Sequence, residues 1–297
     1  MFWYDFSFRS LTAAQDGRSV LEHAGIGAEL LRAPQAISEQ GCGYVVETAD
    51  FEGARAFEQF LANGVRFRRD GMKTEWWRKR AMIYFDAAAT TLQKPPQVRK
   101  MAAYAMEHYA SPGRGGYRAA MLASDAVYDC RKELAELFEA KPEDIVFTMN
   151  ATHALNLAIK TLVGPGDEVV ISGFEHNAVW RPLVQIGANV KLAGRKIFDP
   201  DDTLEEFRAA IGPETKAVVC THVSNVFGYV LPIEKIAALC HERGVPLVVD
   251  CSQSAGILPV SLGKLHAAFL CMPGHKSLYG PQGTGVLVCG HALRPLL

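Results

Sequence analysis

The stretch PLVVDCSQSAG, residues 246–256, places an aspartate directly after a short apolar run. Apolar runs of about four to eight residues bounded by turn residues are typical of buried strands in parallel sheets. A carboxylate at the end of such a strand needs partners that offset its desolvation. Asp250 therefore predicts a buried strand and a polar site where that strand ends.

The chain from residue 81 onward alternates between apolar strands and helical segments such as ATHALNLAIKTLV and IEKIAALCHERG. This alternation is the signature of an α/β fold, in which helices cover both faces of a mostly parallel sheet. Ligands of such sheets gather at the carboxyl ends of the strands. Seven strands are predicted: IVFTM (145–149), EVVIS (168–172), NVKLA (189–193), KAVVCTH (216–222), PLVVD (246–250), AFLCM (268–272) and GVLVC (285–289).

Residues 1–72 have a different pattern and predict a separate small α+β domain. Strand-like segments FWYDFSF, GAELLRAPQAI, YVVET and VRFRR occur with two helical segments, LTAAQDGRSVLEHAG and FEGARAFEQFLANG. Their order, βαββαβ, indicates a ferredoxin-like sandwich. Residues 73–80 form the predicted linker, whose basic run RKR is typical of a solvated face, and residues 81–297 form the large domain.

Composition excludes several classes of function. The 297 residues are 49% hydrophobic with a formal net charge of −1, so nothing favours nucleic acid or an anionic membrane as a partner. No apolar run approaches the roughly 18 residues of a membrane span, and the N-terminus lacks a secretory pattern. The seven cysteines are scattered without a CxxC pair, which predicts neither disulfides nor a metal site. We expect a reduced, cytoplasmic protein.

Polar residues follow several of the predicted strands. Ala151 and Thr152 open a helix after the first strand of the large domain, where backbone N–H groups and the helix dipole suit a phosphate, although Asn and Thr are also ordinary helix caps. His176 follows the second strand and is equally compatible with a structural hydrogen bond. Asn225 and Gln253 follow two later strands, where a turn role is the alternative for Asn225.

A single cofactor accounts for these strand-end residues together. Pyridoxal phosphate requires an amine for a Schiff base, a carboxylate facing its ring nitrogen and an anion site for its phosphate. Lys276, in the stretch CMPGHKSLYGPQGTG (271–285), can supply the amine, and Asp250 the carboxylate. The helix start at residues 151–152 can hold the phosphate with His275 as a further donor, and His176 can stack on the ring and move a proton.

Residues 82–297 resemble the large domain of the class V aminotransferase family, in its cysteine desulfurase branch. The resemblance covers MIYFDAAATT, SPGRGGYR, NATHALN, EHNAV, THVSNVFG, VVDCSQSAG and PGHKSLYGPQGTG, which occur in the family's order. It implies a pyridoxal-phosphate-dependent transferase of fold type I. The resemblance also implies L-cysteine as the substrate, a sulfur-accepting thiol and a homodimer.

The resemblance also implies residue roles. Lys276 corresponds to the Schiff-base lysine, Asp250 to the partner of the ring nitrogen and His176 to the stacking histidine. Contacts to the phosphate fall to Ala151, Thr152 and His275, contacts to the ring oxygen to Asn225 and Gln253, and a border with the substrate to Ala88, Ala89, Arg114 and Asn225. Many members have a phosphate-binding serine where Pro273 precedes Gly274 here, and proline has no hydroxyl to donate.

The first 72 residues resemble small sulfur or selenium carrier domains that hold a Cys-Gly pair in a loop before a strand. Cys42-Gly43 matches that pair. A persulfide-carrying thiol must be exposed and activated, which a loop between two glycines helps to provide. The alternative is a loop cysteine without a role.

The resemblance stops at GVLVC and the short tail GHALRPLL. Family members continue into a smaller domain that supplies a nucleophilic cysteine, an arginine for the substrate carboxylate and a threonine. Cys251, beside Asp250, is a candidate substitute nucleophile, but strand alternation predicts that it points away from the site. We therefore expect a desulfurase that uses a cysteine outside this chain. The alternatives are another lyase, selenocysteine lyase or aminotransferase on the same scaffold, or a sulfur carrier or binding module without turnover.

Overall fold

The computed structural model describes residues 4–8, 15, 18–19, 21–23, 25–32, 44–48 and 84–294. The chain forms two compact units, Met1–Phe85 and Asp86–Leu297. The predicted linker at 73–80 and the predicted boundary of the small domain at residue 72 lie outside the described residues, so both stay predictions.

In the first unit, three short strands form an antiparallel sheet in the order β1-β3-β2, comprising β1 Tyr4–Phe8, β2 Ala28–Arg32 and β3 Tyr44–Thr48. Helical residues between β1 and β2 include Leu21, which is buried, as are Val45 and Val46 of β3. These elements correspond to the first four elements, βαββ, of the predicted βαββαβ order. The predicted second helix and last strand lie outside the described residues, so the ferredoxin-like sandwich stays a prediction.

The second unit contains a seven-stranded sheet, and each of the seven predicted strands is present. The order is β4-β10-β9-β8-β7-β5-β6. Neighbouring strands are parallel from β9 through β8, β7 and β5 to β6, whereas β10 is antiparallel to both β4 and β9. The strands are β4 Ile145–Thr148, β5 Glu168–Ser172, β6 Asn189–Ala193, β7 Thr215–Thr221, β8 Leu247–Asp250, β9 Phe269–Pro273 and β10 Gly285–Cys289.

Helices connect most of these strands and cover both faces of the sheet. They are α1 Pro96–His108, α2 Arg118–Leu137, α3 Ala151–Leu162, α4 Asn177–Ile186, α5 Pro200–Ala210, α6 Ile233–Glu242 and α7 Leu262–Leu265. The sequence pattern predicts α3 and α6 almost to the residue but does not predict α1 and α2. No residue of α1 is buried, so this helix adds no side chain to the core.

Successive side chains of each strand enter opposite halves of the core, because side chains alternate across a sheet. Val249 and Leu270 pack with α5, α6 and α7 on one face, whereas Val248 and Cys271 pack with α3 and α4 on the other. Asp250 is two residues beyond Val248 and therefore points to the face that α3 and α4 cover. Both the strand alternation and the helix cover thus place this carboxyl group beside the first turns of α3 and α4.

Strand β10, which is antiparallel to its neighbours β4 and β9, begins beside the start of α3. Gly285 opens β10 opposite Thr148, the last residue of β4, and lies against the backbone of Asn150, which caps α3. A Cβ atom on Gly285 would lie 2.6 Å from Thr148 Oγ1 and 2.7 Å from the Asn150 Cα atom. The absence of a side chain here lets the start of α3 approach the sheet.

None of the helices in the described ranges is long and apolar enough to cross a membrane.

We predict that Gly285→Ala destabilises the large unit by about 1–3 kcal/mol, because the backbone of Asn150 must move to admit the methyl group. Urea unfolding followed by circular dichroism measures the change. Gly212→Ala is the matched control, since a Cβ atom there meets nothing within 4 Å, and it should change stability by less than about 0.5 kcal/mol. Equal stabilities for the Gly285→Ala and Gly212→Ala proteins would contradict this packing.

Candidate active site

A cavity of about 230 Å³ lies at the carboxyl ends of the parallel strands. Residues that follow β4, β5, β7, β8 and β9 line it, so the site is assembled from segments far apart in the sequence. The lining consists of Ala89, Asn150, Ala151, Thr152, His176, Ala178, Thr221, Val223, Asn225, Asp250, Ser252, Gln253, Pro273, His275 and Lys276.

Asp250 is the most enclosed ionisable group of the lining, with 2% of its surface exposed. Burial raises the pKa of its carboxyl group, and a hydrogen bond from the Ser252 backbone N–H to Oδ1, 2.9 Å long, acts in the opposite direction. The positive charge of Lys276 also favours the ionised carboxylate. The arrangement supplies a carboxylate that can hold a proton on a basic group in the cavity.

Lys276 is partly buried on the loop between β9 and β10. Burial lowers the pKa of its amine, and the negative charge of Asp250 opposes this effect. A lysine with a lowered pKa is uncharged for a larger fraction of the time, which is the form that attacks carbonyl groups. The amine is therefore suited to covalent chemistry with an aldehyde.

The carbonyl group of His275 fixes the backbone just before Lys276. It accepts hydrogen bonds from the Thr91 backbone N–H at 3.1 Å, from the hydroxyls of Thr90 and Thr91 at 3.0 Å each, and from Lys94 Nζ at 2.9 Å. Lys94 also donates to Thr91 Oγ1 at 2.5 Å. The sequence does not predict a role for Lys94 or these two threonines, because they are more than 180 residues away from His275 along the chain.

The side chain of His275 lies beside Thr90, with Nδ1 3.1 Å from the threonine hydroxyl oxygen. Burial lowers the pKa of this imidazole, and the positive charges of Lys276 and Lys94 lower it further. The ring is therefore neutral near pH 7 and keeps one N–H with which to donate a hydrogen bond.

The N-terminus of α3 forms one wall of the cavity. Asn150 caps the helix, and its Oδ1 accepts a hydrogen bond from the His153 backbone N–H at 2.8 Å. Ala151 and Thr152 form the first turn and both line the cavity. The free N–H groups of a first turn, together with the positive end of the helix dipole, favour an anion at this wall.

His176 caps α4 and lines the cavity. Its Nδ1 accepts a hydrogen bond from the Ala178 backbone N–H at 3.1 Å. An Nδ1 that accepts leaves the proton of the neutral ring on Nε2. The cap thus sets the tautomer of the histidine and lets Nε2–H donate.

The structure brings together most of the residues that the sequence predicts for the site. Of the predicted set, those that line the cavity are Ala89, Ala151, Thr152, His176, Asn225, Asp250, Gln253, His275 and Lys276. Gln253 Nε2 also donates to the Ala88 carbonyl oxygen at 3.0 Å, which places Ala88 at the border of the cavity. Arg114 is exposed in the segment between α1 and α2 and is not part of the lining, and Cys42 lies outside the described residues.

The lining of the cavity contains no cysteine from the described ranges. Cys251 is fully buried in the half of the core opposite Asp250, as strand alternation predicts, and burial raises the pKa of its thiol strongly. Burial likewise raises the pKa of Cys240 to about 12. These thiols are poor nucleophiles in the folded protein because the thiolate is the reactive form.

The donor set of the cavity fits pyridoxal phosphate. A ring of that size requires an amine at one side, a carboxylate at its nitrogen and N–H donors at its phosphate. Lys276, the buried Asp250 and the first turn of α3 provide these groups around one cavity. Pro273 lines the same cavity and provides no hydroxyl, so a phosphate here depends on backbone N–H groups, Thr152 and His275.

Known proteins resemble the chain in sequence. Residues 83–297 match the family model for aminotransferase class-V. The chain is 33% identical over 230 residues to a probable cysteine desulfurase of Methanothermobacter thermautotrophicus, covering 73% of this chain and 56% of that protein. It is 37% identical over 217 residues to the cysteine desulfurase IscS of Pectobacterium carotovorum, covering 69% and 52% respectively.

Solved structures resemble the chain as well. The apo structure of a cysteine desulfurase from Thermococcus onnurineus NA1 has a TM-score of 0.66 at 33% identity, covering 72% of this chain and 56% of that one. A structure of SspA in complex with cysteine has a TM-score of 0.64 at 31% identity, covering 72% and 64%. These structures confirm the predicted α/β large domain of fold type I. The chain spans about half the length of the relatives it matches.

We predict that Asp250→Asn lowers the pKa of Lys276, because the substitution removes the negative charge that supports the ammonium form. Competitive acylation of lysines across a pH series, quantified by peptide mass spectrometry, should show the Lys276 midpoint at lower pH than in the wild type. Asp129→Asn is the matched control. Asp129 lies 2.7 Å from Lys132, so its loss should lower the midpoint of Lys132 and leave Lys276 unchanged. An unchanged or higher Lys276 midpoint in Asp250→Asn would contradict the pairing.

Proposed function

We propose that this chain, which belongs to the class-V aminotransferase family, provides the pyridoxal-phosphate site of a cysteine desulfurase that converts L-cysteine to L-alanine and passes the sulfur to a thiol. The relatives named above are described as cysteine desulfurases, and one solved relative contains cysteine. Since the chain spans about half of their length, its substrate and its activity are inferred from the site.

One observation carries the proposal: an amine with a lowered pKa and a buried carboxyl group share a cavity whose wall is a helix N-terminus. Each group alone has a structural explanation. Together they meet the three requirements of pyridoxal phosphate, at the sheet edge where ligands of this fold bind. No two of these segments are neighbours in the sequence, so the sheet is what makes them one site.

When bound, pyridoxal phosphate supplies an electron sink that stabilises negative charge on the Cα atom of an amino acid. The part of Asp250 is to keep a proton on the ring nitrogen by remaining negatively charged. The Ser252 N–H bond and the positive charge of Lys276 support that ionised state against the desolvation of the carboxyl group. Ala151 and Thr152 would hold the phosphate at the start of α3.

Proton movement falls to Lys276 and His176. In its uncharged form Lys276 Nζ takes a proton from the Cα atom of the substrate and returns one when L-alanine forms. His176 holds its proton on Nε2, on the side of the ring that is not bonded to Ala178, and can donate it to the substrate Cβ atom, which needs a proton when the acceptor thiolate takes the sulfur and the C–S bond breaks. The two residues therefore serve different atoms of the same substrate.

The thiol that accepts the sulfur comes from outside the described cavity. Cys42 is one candidate, since a carrier domain tethered to a desulfurase would raise the local concentration of acceptor. Cys42 lies outside the described residues, and its role stays a proposal. A homodimer and a cytoplasmic location are further predictions from the sequence.

We predict that the chain, incubated with pyridoxal phosphate, L-cysteine and an excess of a small thiol, produces equimolar L-alanine and sulfide. Amino-acid chromatography and a sulfide assay measure the two products. Lys276→Ala should lower the rate at least about 100-fold, because it removes the group that handles the Cα proton. Lys100→Ala, an exposed lysine on α1, is the matched control and should leave the rate unchanged.

The products also separate the competing functions. Formation of the keto acid in place of alanine would support an aminotransferase and contradict the proposal. Faster release of alanine from L-selenocysteine than from L-cysteine would support a selenocysteine lyase. Cofactor binding without either product would favour the carrier or binding module.

A further inference from the structure

Glu175 precedes His176 and has no part in the function described so far. Its Oε1 accepts two hydrogen bonds, from the hydroxyl of Ser172 at 2.5 Å and from the Thr221 backbone N–H at 2.6 Å. Its Oε2 is buried and has no hydrogen-bond partner in the structure. A buried carboxyl oxygen without a partner carries a large desolvation cost if it is charged.

The two hydrogen bonds join the ends of two neighbouring strands. Ser172 is the last residue of β5 and Thr221 the last of β7, and β5 and β7 are parallel. Thr221 is in register with Asp250 in the pairing of β7 and β8, and Thr221 itself lines the cavity. Glu175 therefore connects the segment that carries His176 to the strand that neighbours Asp250.

The groups around Glu175 favour its uncharged form. From β8 it faces the carboxyl group of Asp250, and from β7 the thiol of Cys220, which burial keeps protonated. Burial raises the pKa of Glu175 to about 8, and the charge of Asp250 adds to this, while the Ser172 and Thr221 hydrogen bonds act against it. Two adjacent carboxylates repel each other, so a neutral Glu175 leaves the negative charge at this end of the sheet to Asp250.

We propose that Glu175 is a positioning residue of the site, whose uncharged carboxyl group joins the ends of β5 and β7 and so holds His176 and Asp250 in place. The effect of Glu175 on cofactor binding rests on the proposed function. Its two hydrogen bonds, to Ser172 and Thr221, are present in the protein without cofactor. Glutamine can accept the same two hydrogen bonds at Oε1 and is always neutral. Alanine removes both bonds.

The first test is the pH dependence of stability of the protein without cofactor. The folded-state pKa of Glu175 lies above the unfolded value of 4.5, so the folded state binds more protons than the unfolded state between 4.5 and about 8. This group therefore stabilises the fold least at high pH. The apparent Tm of Glu175→Gln should rise relative to the wild type as pH increases through this interval and level off above it.

The matched control is Glu168→Gln, at the other end of β5. Glu168 also bonds a β7 residue, with Oε1 2.8 Å from Thr215 Oγ1, but its pKa is lowered by Lys191 and Thr215. Because its pKa is lowered, the folded-state titration of Glu168 lies below pH 4.5. The Tm difference between Glu168→Gln and the wild type should therefore stay constant over the pH range in which the difference for Glu175→Gln rises.

The second test measures the dissociation constant of pyridoxal phosphate by fluorescence quenching at about pH 6 and about pH 9. We expect Glu175→Gln to bind like the wild type at the lower pH and more tightly at the higher pH, where the wild-type carboxyl group loses its proton. Glu175→Ala should bind about tenfold more weakly at the lower pH, the effect of a lost buried hydrogen-bond pair. Glu168→Gln should bind like the wild type at both.

Parallel Tm profiles for Glu175→Gln and the wild type would overturn the proposal, as would a Glu175→Gln protein that binds as weakly as Glu175→Ala at the lower pH. A wild type that does not bind pyridoxal phosphate would overturn the proposed function instead, and the Tm profiles would still decide the state of Glu175. Parallel Tm profiles together with a wild type that does not bind pyridoxal phosphate would overturn both the role of Glu175 and the proposed function.

Discussion

The carboxyl group of Asp250 is 2% exposed at the end of β8, and an ionised group in that position must be compensated from several directions. The Ser252 N–H bonds it from the following turn, Lys276 faces it from the loop after β9, and His176 from the start of α4. These elements meet because parallel strands end at one edge of the sheet. The strand alternation that buries Val248 and Val249 on opposite faces also aims Asp250 at the α3 side. The fold and the charge pattern of the site therefore depend on each other.

The lysine is held in place by the backbone around it. The carbonyl group of His275 receives donors from the segment 90–94, so the loop that carries Lys276 is fixed to a distant part of the chain. Such hydrogen bonds are worth about 1 kcal/mol each, and more where a charged donor such as Lys94 takes part. A fixed backbone limits the positions that the amine can reach. That limit favours reaction with a group held at the α3 wall.

Much of the fold follows from local patterns in the sequence. The seven strands of the large sheet are predicted because each is a short apolar run between turn residues. The direction of β10 is not predicted, since the run GVLVC reads the same in a parallel or an antiparallel strand. Helix α1 is not predicted either, and none of its residues is buried in the structure.

The site, like the fold, contains residues that the sequence predicts and residues that only the structure shows. Asp250 and Lys276 stand out because ionisable residues that directly follow apolar strands are costly without a purpose. Lys94 and Glu175 act through contacts with Thr91, His275, Ser172 and Thr221, and only the folded chain reveals those contacts. Glu175 did carry a signal, as an acidic residue beside a strand-end histidine, but a solvated carboxylate would look identical in sequence. Arg114 matches a family segment, yet the structure places it exposed and away from the cavity lining, and its contact with substrate stays a prediction.

In the proposed function, the Lys276 amine, opposite Asp250, is the point where this protein bonds pyridoxal phosphate. Reduction of the protein with borohydride after incubation with pyridoxal phosphate converts such a bond to a stable amine, which peptide mass spectrometry can locate. We expect one equivalent of label on the peptide that contains Lys276, and no label there when Lys276 is replaced by alanine. Label distributed over exposed lysines, with none on Lys276, would contradict it.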